Sequence, residues 1–199
     1  MILLHICCAP CTIYPLKQLR KKFAVIKGVF YNPNIHPYRE FRNRLKAVEE
    51  LAEIENLEII YEKNYGLKQF LNHITPFYDY PKRCERCYSL RLAYTAKLAK
   101  ELNAEAFTTT MLYSPYQIHF LLKELGMLYE KIYKMSFYYE DFRIGFKEGQ
   151  EMSIKLNLYR QSYCGCIFSE EERYNKKKRK EVAKKWRELV KKEIKEEQI

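Results

Sequence analysis

The sequence predicts an α/β fold in which a parallel sheet of about five strands is covered by helices on both faces. Short apolar segments alternate along most of the chain with longer segments whose apolar residues recur at helical spacing. The short segments are apolar without alternation, as in strands buried on both faces of a parallel sheet. Turn residues such as Asn32-Pro33-Asn34 separate strands from helices.

The first half of the chain supplies three strands. Residues 2–6 are a short apolar run, and residues 12–22 follow it with helical spacing. Residues 23–30 form the second strand, which the Asn-Pro-Asn turn closes. Residues 38–55 carry the apolar stripe of a long helix, and residues 57–61 form the third strand.

The second half continues this alternation, which implies right-handed crossovers between parallel strands. In such a sheet the ligand binds beyond the carboxyl ends of the strands. The predicted elements are helices at residues 67–74, 84–102, 115–132 and 146–156 and strands at residues 106–110 and 133–137.

Charge and composition limit the partners of the protein. The formal net charge is +11, and the segment from residue 170 onward contributes only +4 of it, so the globular part is basic as well. Such a chain favours a polyanion, tRNA or another RNA first. No apolar run reaches the length of about 18 residues of a membrane span, and the first residues lack the basic start of a signal peptide. We therefore expect a cytoplasmic protein with no membrane partner.

Composition also divides the chain into two parts. Residues 1–170 are predicted to form the α/β catalytic domain, and residues 171–199 a basic helical extension. One side of the extension carries an apolar stripe, which we expect to dock on the core rather than to grip RNA. The stripe consists of Val182, Trp186, Leu189 and Val190.

The seven cysteines fall into three groups, whereas cysteines that merely fill a core would be scattered singly. In a reducing cytosol such groups are more often metal ligands or catalytic thiols than disulfide frameworks. The first group lies beyond the carboxyl end of the first strand, where ligands bind. The groups are Cys7, Cys8 and Cys11, then Cys84 and Cys87, then Cys164 and Cys166.

The Cys84 and Cys87 pair opens a predicted helix, whose free amide groups and dipole favour the thiolate. Joined by a second pair of thiolates, it would hold an iron-sulfur cluster or zinc. Cys7 and Cys8 can share one site only if the backbone turns there, and Ala9-Pro10 favours a turn. Four cations flank this pair, and they favour a negatively charged cluster, although they would also suit a phosphate. These cations are Lys82, Arg83, Arg86 and Arg91.

Cys164 and Cys166 are separated only by Gly165. Two cysteines so close together can form a strained disulfide, and strained disulfides have the oxidising potentials of redox-active pairs. The alternative is that these two thiols hold a further metal ion together with Cys11.

Five segments, in this order, resemble the epoxyqueuosine reductases of the QueH type. The resemblance covers residues 1 to about 170, and the doubled cysteine, the C-x-x-C and the YCGC are together highly specific. The segments are HICCAPCT at residues 5–12, NPNIHP at 32–37, RCERCYSLRL at 83–92, TTTMLYSPY at 108–116 and LYRQSYCGCIFS at 158–169.

The resemblance implies that the protein reduces epoxyqueuosine to queuosine at the wobble position of tRNA, the final step of queuosine biosynthesis. It also implies a 4Fe-4S cluster with a second, mononuclear iron beside it, and an electron donor that the sequence does not identify. Cys164 and Cys166 would form the redox-active pair. The implied cluster ligands are Cys7, Cys8, Cys84 and Cys87.

Removal of the epoxide oxygen consumes electrons and protons, so a proton donor must reach the leaving oxygen. Asp141 is included among the candidate catalytic residues, but the sequence does not choose between it and the other possible donors. His5, which lies inside an apolar strand, is instead expected to be a hydrogen-bonded core histidine. The full set of candidate donors is Asp141, Tyr113, Tyr159 and His5.

Two other functions fit parts of the pattern. The opening strand, loop and helix resemble the nucleotide-hydrolase-like topology of HUP and PP-loop proteins, some of which adenylate tRNA and insert sulfur. Such a sulfur-transfer enzyme should carry a glycine- and serine-rich loop after the first strand, and residues 7–11 contain no glycine. The other alternative is a zinc-containing RNA-binding protein.

Overall fold

The computed structural model describes residues 1–196 of the chain, with side chains to residue 191. Five strands and eight α-helices follow one another in this part of the chain. The strands are β1 (Ile2–His5), β2 (Ile26–Phe30), β3 (Ile59–Tyr61), β4 (Ala106–Thr109) and β5 (Ser136–Phe137). The helices are α1 (Ala9–Leu19), α2 (Tyr38–Glu55), α3 (Leu67–Ile74), α4 (Lys82–Glu101), α5 (His119–Tyr133), α6 (Phe146–Lys155), α7 (Ile167–Tyr174) and α8 (Lys176–Glu196).

All five strands are parallel and form one sheet in the order β3-β2-β1-β4-β5. The predicted fold class, a parallel sheet of about five strands with helices on both faces, is thus confirmed. The strand order reverses at β1, because Ile2 pairs with Ile26 of β2 on one side and with Ala106 of β4 on the other. At such a reversal the loops that follow the two central strands diverge and leave a crevice for a ligand.

The hydrophobic core lies on both faces of β1. Ile2, Leu3 and Leu4 are completely buried, which explains why this segment is apolar without alternation. Helix α4 packs against β1 and β4 and against α5, which also contacts β5, whereas α1 packs against α6. The buried sheet therefore positions the loops that follow its strands at their carboxyl ends.

Several element boundaries differ from the prediction for local reasons. Helix α1 begins at Ala9 rather than at residue 12, because Pro10 suits the first turn of a helix. Strand β2 begins three residues later than predicted, because the chain turns after α1 and Phe23 packs edge-on against Tyr138 at 5.1 Å. The strand predicted from residue 133 is reduced to two residues, because α5 continues to Tyr133 and ends at Lys134 in a left-handed conformation.

The predicted helical extension begins slightly earlier than expected. Helix α7 starts at Ile167, inside the part assigned to the catalytic domain, and α8 packs against α7. Leu189 contacts the main hydrophobic core, as the docking prediction requires. Trp186 keeps 37% of its surface exposed and lines a cavity instead. Within residues 1–196, no helix is both long enough and apolar enough to span a bilayer.

Candidate active site

Three thiols meet where β1 ends. The strand stops at His5, and Cys8 occupies the N-cap position of α1 in an extended conformation. The backbone therefore turns between strand and helix, as Ala9-Pro10 predicted. The Sγ atoms of Cys7, Cys8 and Cys11 all lie within 4.8 Å of one another, and those of Cys7 and Cys8 are 3.9 Å apart. We call these residues the three-thiol group.

Hydrogen bonds from distant segments hold this group. Thr110, directly after β4, donates from Oγ1 to the Cys7 Sγ at 3.2 Å and accepts from the Cys7 backbone N–H at 3.0 Å. Gln161 Nε2 donates to the Cys8 Sγ at 2.8 Å. The parallel pairing of β1 with β4 is what brings Thr110 beside Cys7.

The three thiols share negative charge unequally. Hydrogen bonds from Cys11, Cys8 and Thr110 hold the pKa of Cys7 well below its ordinary value, although burial opposes this shift. Burial raises the pKa of Cys8, and the hydrogen bond to Cys7 raises that of Cys11. Cys7 is thus the member of the group whose ionisation its neighbours favour most, which is an arrangement suited to binding a cation.

The other four cysteines line one cavity of about 560 Å³. Cys84 and Cys87 lie in the first turns of α4, whereas Cys164 and Cys166 lie in the loop before α7. Cys164 is exposed and Cys166 is buried, and both are free thiols, so no disulfide joins them in this structure. We call this space the four-thiol cavity.

A buried arginine connects the two sets of thiols. Arg91 on α4 is only 3% exposed, and its Nη2 lies 3.2 Å from the Cys87 Sγ. Its charge also interacts with Cys164 and with Cys7. Among the side chains described, residues 1–191, no carboxylate forms an ion pair with Arg91. A buried guanidinium without an anion is costly, so the sulfur atoms around it are the groups placed to supply negative charge.

The two thiols of α4 do not provide that charge without a metal. Burial raises the pKa of Cys87 to about 12, even though Arg91 acts in the opposite direction. Burial also raises the pKa of Cys84 well above its ordinary value. Metal coordination deprotonates a thiol outright. A bound metal would therefore remove the conflict between a neutral Cys87 and a buried, charged Arg91.

Helix α2 holds the loop that carries Cys164 and Cys166. Arg44, 2% exposed, donates from Nη1 to the Cys164 carbonyl at 2.8 Å and from Nη2 to the Tyr163 carbonyl at 2.9 Å. Its Nε forms an ion pair with Glu40 at 2.7 Å. Gly165 has a φ of 147°, a conformation that side chains with a Cβ rarely adopt. The separation of the two cysteines by glycine is thus required by the backbone.

The predicted proton donors do not lie at one place: Tyr113 and His5 interact electrostatically with the three-thiol group. Asp141 does not line the four-thiol cavity, and its carboxylate forms an ion pair with Arg143 at 2.7 Å. Burial raises its pKa, but hydrogen bonds from Arg143 outweigh this and hold the pKa below its ordinary value. Asp141 is therefore ionised near neutral pH and has no proton to donate.

The other candidates have structural partners. His5 is completely buried between the Thr109 hydroxyl, at 2.9 Å, and the Tyr31 carbonyl, at 3.2 Å, and burial lowers its pKa to about 4. The expectation of a hydrogen-bonded core histidine is confirmed. Tyr113 donates to the Phe146 carbonyl at 2.8 Å, and Tyr159 donates to Glu40.

Sequence reasoning missed several residues that line the four-thiol cavity. The Tyr80 hydroxyl and the Asn34 Oδ1 are buried there without a hydrogen-bond partner among the described residues. Asn34 belongs to the NPNIHP segment, and Tyr80 directly precedes α4, so their proximity to recognised motifs was the available signal. Gln117 and Trp186 also line the cavity. Gln117 Nε2 lies 3.4 Å from the Cys164 Sγ.

Comparisons with known proteins identify similar sequences over most of the chain. A family model described as epoxyqueuosine reductase QueH matches residues 2–172, a range that includes all seven cysteines and ends before α8. The epoxyqueuosine reductase QueH of Dehalococcoides mccartyi is 34% identical over 183 residues, which cover 88% of this chain and 95% of the relative. The protein of the same name from Thermotoga maritima is 36% identical over 183 residues, with 88% and 93% covered. That from Staphylococcus epidermidis is 35% identical over 180 residues, with 84% and 75% covered.

The Arg44 contacts predict a specific effect on the cysteine loop. Arg44→Lys keeps the charge but cannot reach both loop carbonyls and Glu40 together, so we expect the free energy of unfolding to fall by about 1–3 kcal/mol. Amide hydrogen exchange of residues 159–166, followed by mass spectrometry, should accelerate in the variant. The matched control is Arg42→Lys, an exposed position on the same helix, which should leave both quantities unchanged. Unchanged exchange in Arg44→Lys would show that the loop is held by other contacts.

Proposed function

The chain belongs to the epoxyqueuosine reductase QueH family and is an oxidoreductase that reduces epoxyqueuosine to queuosine; we propose that its substrate is the modified tRNA and that its thiols hold a 4Fe-4S cluster. The substrate loses its epoxide oxygen as water, and a C=C bond replaces the two broken C–O bonds. This change consumes two electrons and two protons. We propose that the reaction takes place in the cytoplasm, with an external electron donor that renews the enzyme.

The observation that carries the cofactor proposal is the contact of Arg91 with Cys87. Three arginines that are each less than 5% exposed, Arg44, Arg83 and Arg91, surround the thiols, and only Arg91 lacks a carboxylate partner among the described residues. A cluster bound by four thiolates has a net negative charge and would balance Arg91. Bound there, it would supply electrons one at a time. The proposed ligands are Cys7, Cys8, Cys84 and Cys87.

Cys11 supports a further metal site. Ligands of one tetrahedral ion, with bonds of about 2.3 Å, lie about 3.8 Å apart. The Sγ atoms of Cys7 and Cys8 are 3.9 Å apart, and the Sγ of Cys11 lies within 4.8 Å of both, near enough to share a metal site after a small adjustment. We therefore propose Cys11 as a ligand of a second, mononuclear iron.

Cys164 and Cys166 match the stoichiometry of the reaction. Two thiols that become a disulfide release two electrons and two protons, which is what the epoxide consumes. Both thiols line the cavity together with Cys84 and Cys87, and the Arg44 contacts hold their backbone in place. We propose that this pair is oxidised once in each catalytic cycle and is then reduced again by the external donor.

Tyr80 is a better proton donor than Asp141. Burial raises the pKa of Tyr80 above its ordinary value, so its hydroxyl keeps the proton at neutral pH. Tyr80 lines the cavity, and its hydroxyl is buried without a hydrogen-bond partner among the described residues, so we propose that it donates to an oxygen that enters the cavity. A leaving alkoxide is more basic than a phenolate, so transfer of the proton is favourable.

The cofactor proposal predicts the metal content of the protein. Anaerobically prepared protein should contain about four irons and four acid-labile sulfides per chain, plus one iron if the second site is filled. Cys84→Ala should lose most of both. Zinc without labile sulfide would refute the cluster and would favour the zinc-protein alternative. Unchanged iron and sulfide in Cys84→Ala would refute the ligand assignment.

The redox role of the cysteine pair predicts a separation of metal binding from turnover. Cys164→Ser and Cys166→Ser should each keep the iron and sulfide of the parent protein. Both should lose conversion of epoxyqueuosine-bearing tRNA, measured by mass analysis of the nucleosides. Retained turnover would contradict the redox role. Loss of iron in either variant would instead identify that thiol as a metal ligand.

The assignment of Tyr80 predicts a kinetic difference between neighbouring residues. Tyr80→Phe should reduce kcat by about 100-fold or more while iron content and tRNA binding stay unchanged, because proton transfer contributes about that much. Tyr78→Phe, in the same loop but outside the cavity lining, is the control and should retain kcat. Asp141→Asn tests the rival donor. A large loss in Asp141→Asn with normal kcat in Tyr80→Phe would reverse the assignment.

A further inference from the structure

Helix α8 contributes to the four-thiol cavity although it lies beyond the segment matched by the family model. Arg179, Val182, Ala183 and Trp186 form one wall of the cavity, with the side chains spaced three or four residues apart on one face of the helix. The cysteines lie on the other elements that line the same space. Whatever enters the cavity must therefore contact α8.

The apolar residues of this wall are not buried as a docked helix would require. Val182 and Ala183 are half-buried, and Trp186 keeps 37% of its surface exposed. Tyr116, which also lines the cavity, is 77% exposed. Two large aromatic side chains thus present free surface at the cavity instead of filling the core. Such rings bind nucleobases by stacking.

The rest of the helix is strongly cationic. Residues 176–191 contain nine Lys or Arg and two Glu. Among the side chains described, none of these cations forms an ion pair. Residues seven apart lie almost two full turns apart and so follow the same line along a helix. Lys178 and Lys185 follow one edge of the cavity-facing stripe, and Lys180 and Arg187 follow the other.

We propose that α8 is an RNA-gripping helix that forms part of the substrate site. Trp186 stacks on the nucleobase that enters the cavity, and the two cationic edges contact the phosphates on either side of that nucleotide. The cavity volume, about 560 Å³, lies within the range of sites that enclose a ligand of nucleoside size. This inference rests on the proposed function, because it assumes that the cavity receives the modified nucleotide of tRNA.

Charge and shape favour RNA over an anionic membrane surface. A membrane-bound amphipathic helix turns one continuous apolar face toward the lipid. In α8 the apolar face points into a cavity that the protein itself closes on its other sides, with four cysteines in its lining, and Leu189 on the same side contacts the protein core. The accessible cations border a concave site. This arrangement suits an RNA strand that inserts one base into the cavity while its phosphates contact the cations at the edge.

The test measures how tightly a fluorescently labelled anticodon stem-loop binds to the anaerobically prepared protein. Binding is measured by fluorescence anisotropy at several salt concentrations. Two double variants change the edges of the stripe: Lys178→Glu with Lys185→Glu, and Lys180→Glu with Arg187→Glu. Each should weaken binding by about tenfold or more. The number of phosphate contacts, obtained from the dependence of log affinity on log salt concentration, should fall by about 1–2. Lys177→Glu with Lys184→Glu is the matched control. It makes the same charge change, seven residues apart, on the outward face, and should weaken binding by less than about threefold.

Stacking is tested separately at Trp186. Trp186→Ala should weaken binding by about tenfold or more, whereas Trp186→Phe keeps an aromatic ring and should recover most of it. An effect of the outward pair as large as that of the edge pairs would overturn the proposal, as would unchanged binding in Trp186→Ala. Loss of binding to phosphatidylserine vesicles without loss of RNA binding in the edge variants would identify a membrane-binding helix instead.

The outcome also separates this inference from the proposed function. If the parent protein reduces epoxyqueuosine in tRNA and every α8 variant binds and reacts as the parent does, only the role of α8 is refuted. If α8-dependent RNA binding is found but epoxyqueuosine is not reduced, the proposed function fails and the RNA-gripping role stands. Circular dichroism of each variant must match the parent, because the interpretation requires an intact helix.

Discussion

The parallel pairing of β1 with β4 is the constraint on which the site depends. It sets the end of β1 beside the end of β4, so that Cys7 and Thr110 are neighbours although more than a hundred residues separate them in the chain. The strand order reverses at this same place, where the loops after β1 and β4 diverge. Thiols from three distant segments can therefore gather at one edge of a rigid sheet, where no short-range motif could bring them together.

Charge balance then determines what the gathered thiols can do. Each of Arg44 and Arg83 has a carboxylate partner, Glu40 and Glu172 respectively, whereas Arg91 faces sulfur. Burial raises the pKa of Cys87, so without a metal the sulfur that Arg91 contacts directly does not balance its charge. A thiolate-bound iron-sulfur cluster supplies that compensation in the proposed enzyme. The same positive field would hold electrons at the cluster more tightly, since it stabilises the more negative, reduced state.

Much of this organisation could be predicted from the sequence because it rests on local patterns. Uninterrupted apolar runs identify strands buried on both faces, and the grouping of cysteines identifies a site without knowledge of the fold. The role of Trp186 could not be predicted, because a stripe at helical spacing looks the same whether it is buried or lines a cavity. The ion pair of Asp141 with Arg143 could not be predicted for a similar reason, because the two residues meet in a tight turn that composition does not reveal. The proposed role of Tyr80 could not be predicted either, because the lack of a hydrogen-bond partner for its hydroxyl is visible only in the folded structure.

The unequal exposure of Cys164 and Cys166 determines which sulfur of the proposed pair an external reductant would attack. An incoming thiol from a reducing partner can collide only with the sulfur that faces solvent, so attack on a bond between the two would occur at Cys164. The transient mixed disulfide would then sit on Cys164, and the buried Cys166 would be expelled as the leaving group. Burial makes Cys166 a poor thiolate, and the backbone amide of Ser169, which points at its sulfur from the start of α7, would ease that departure. Regeneration of the proposed pair would thus follow one order of events, because Cys164 is the sulfur that is accessible to an external thiol.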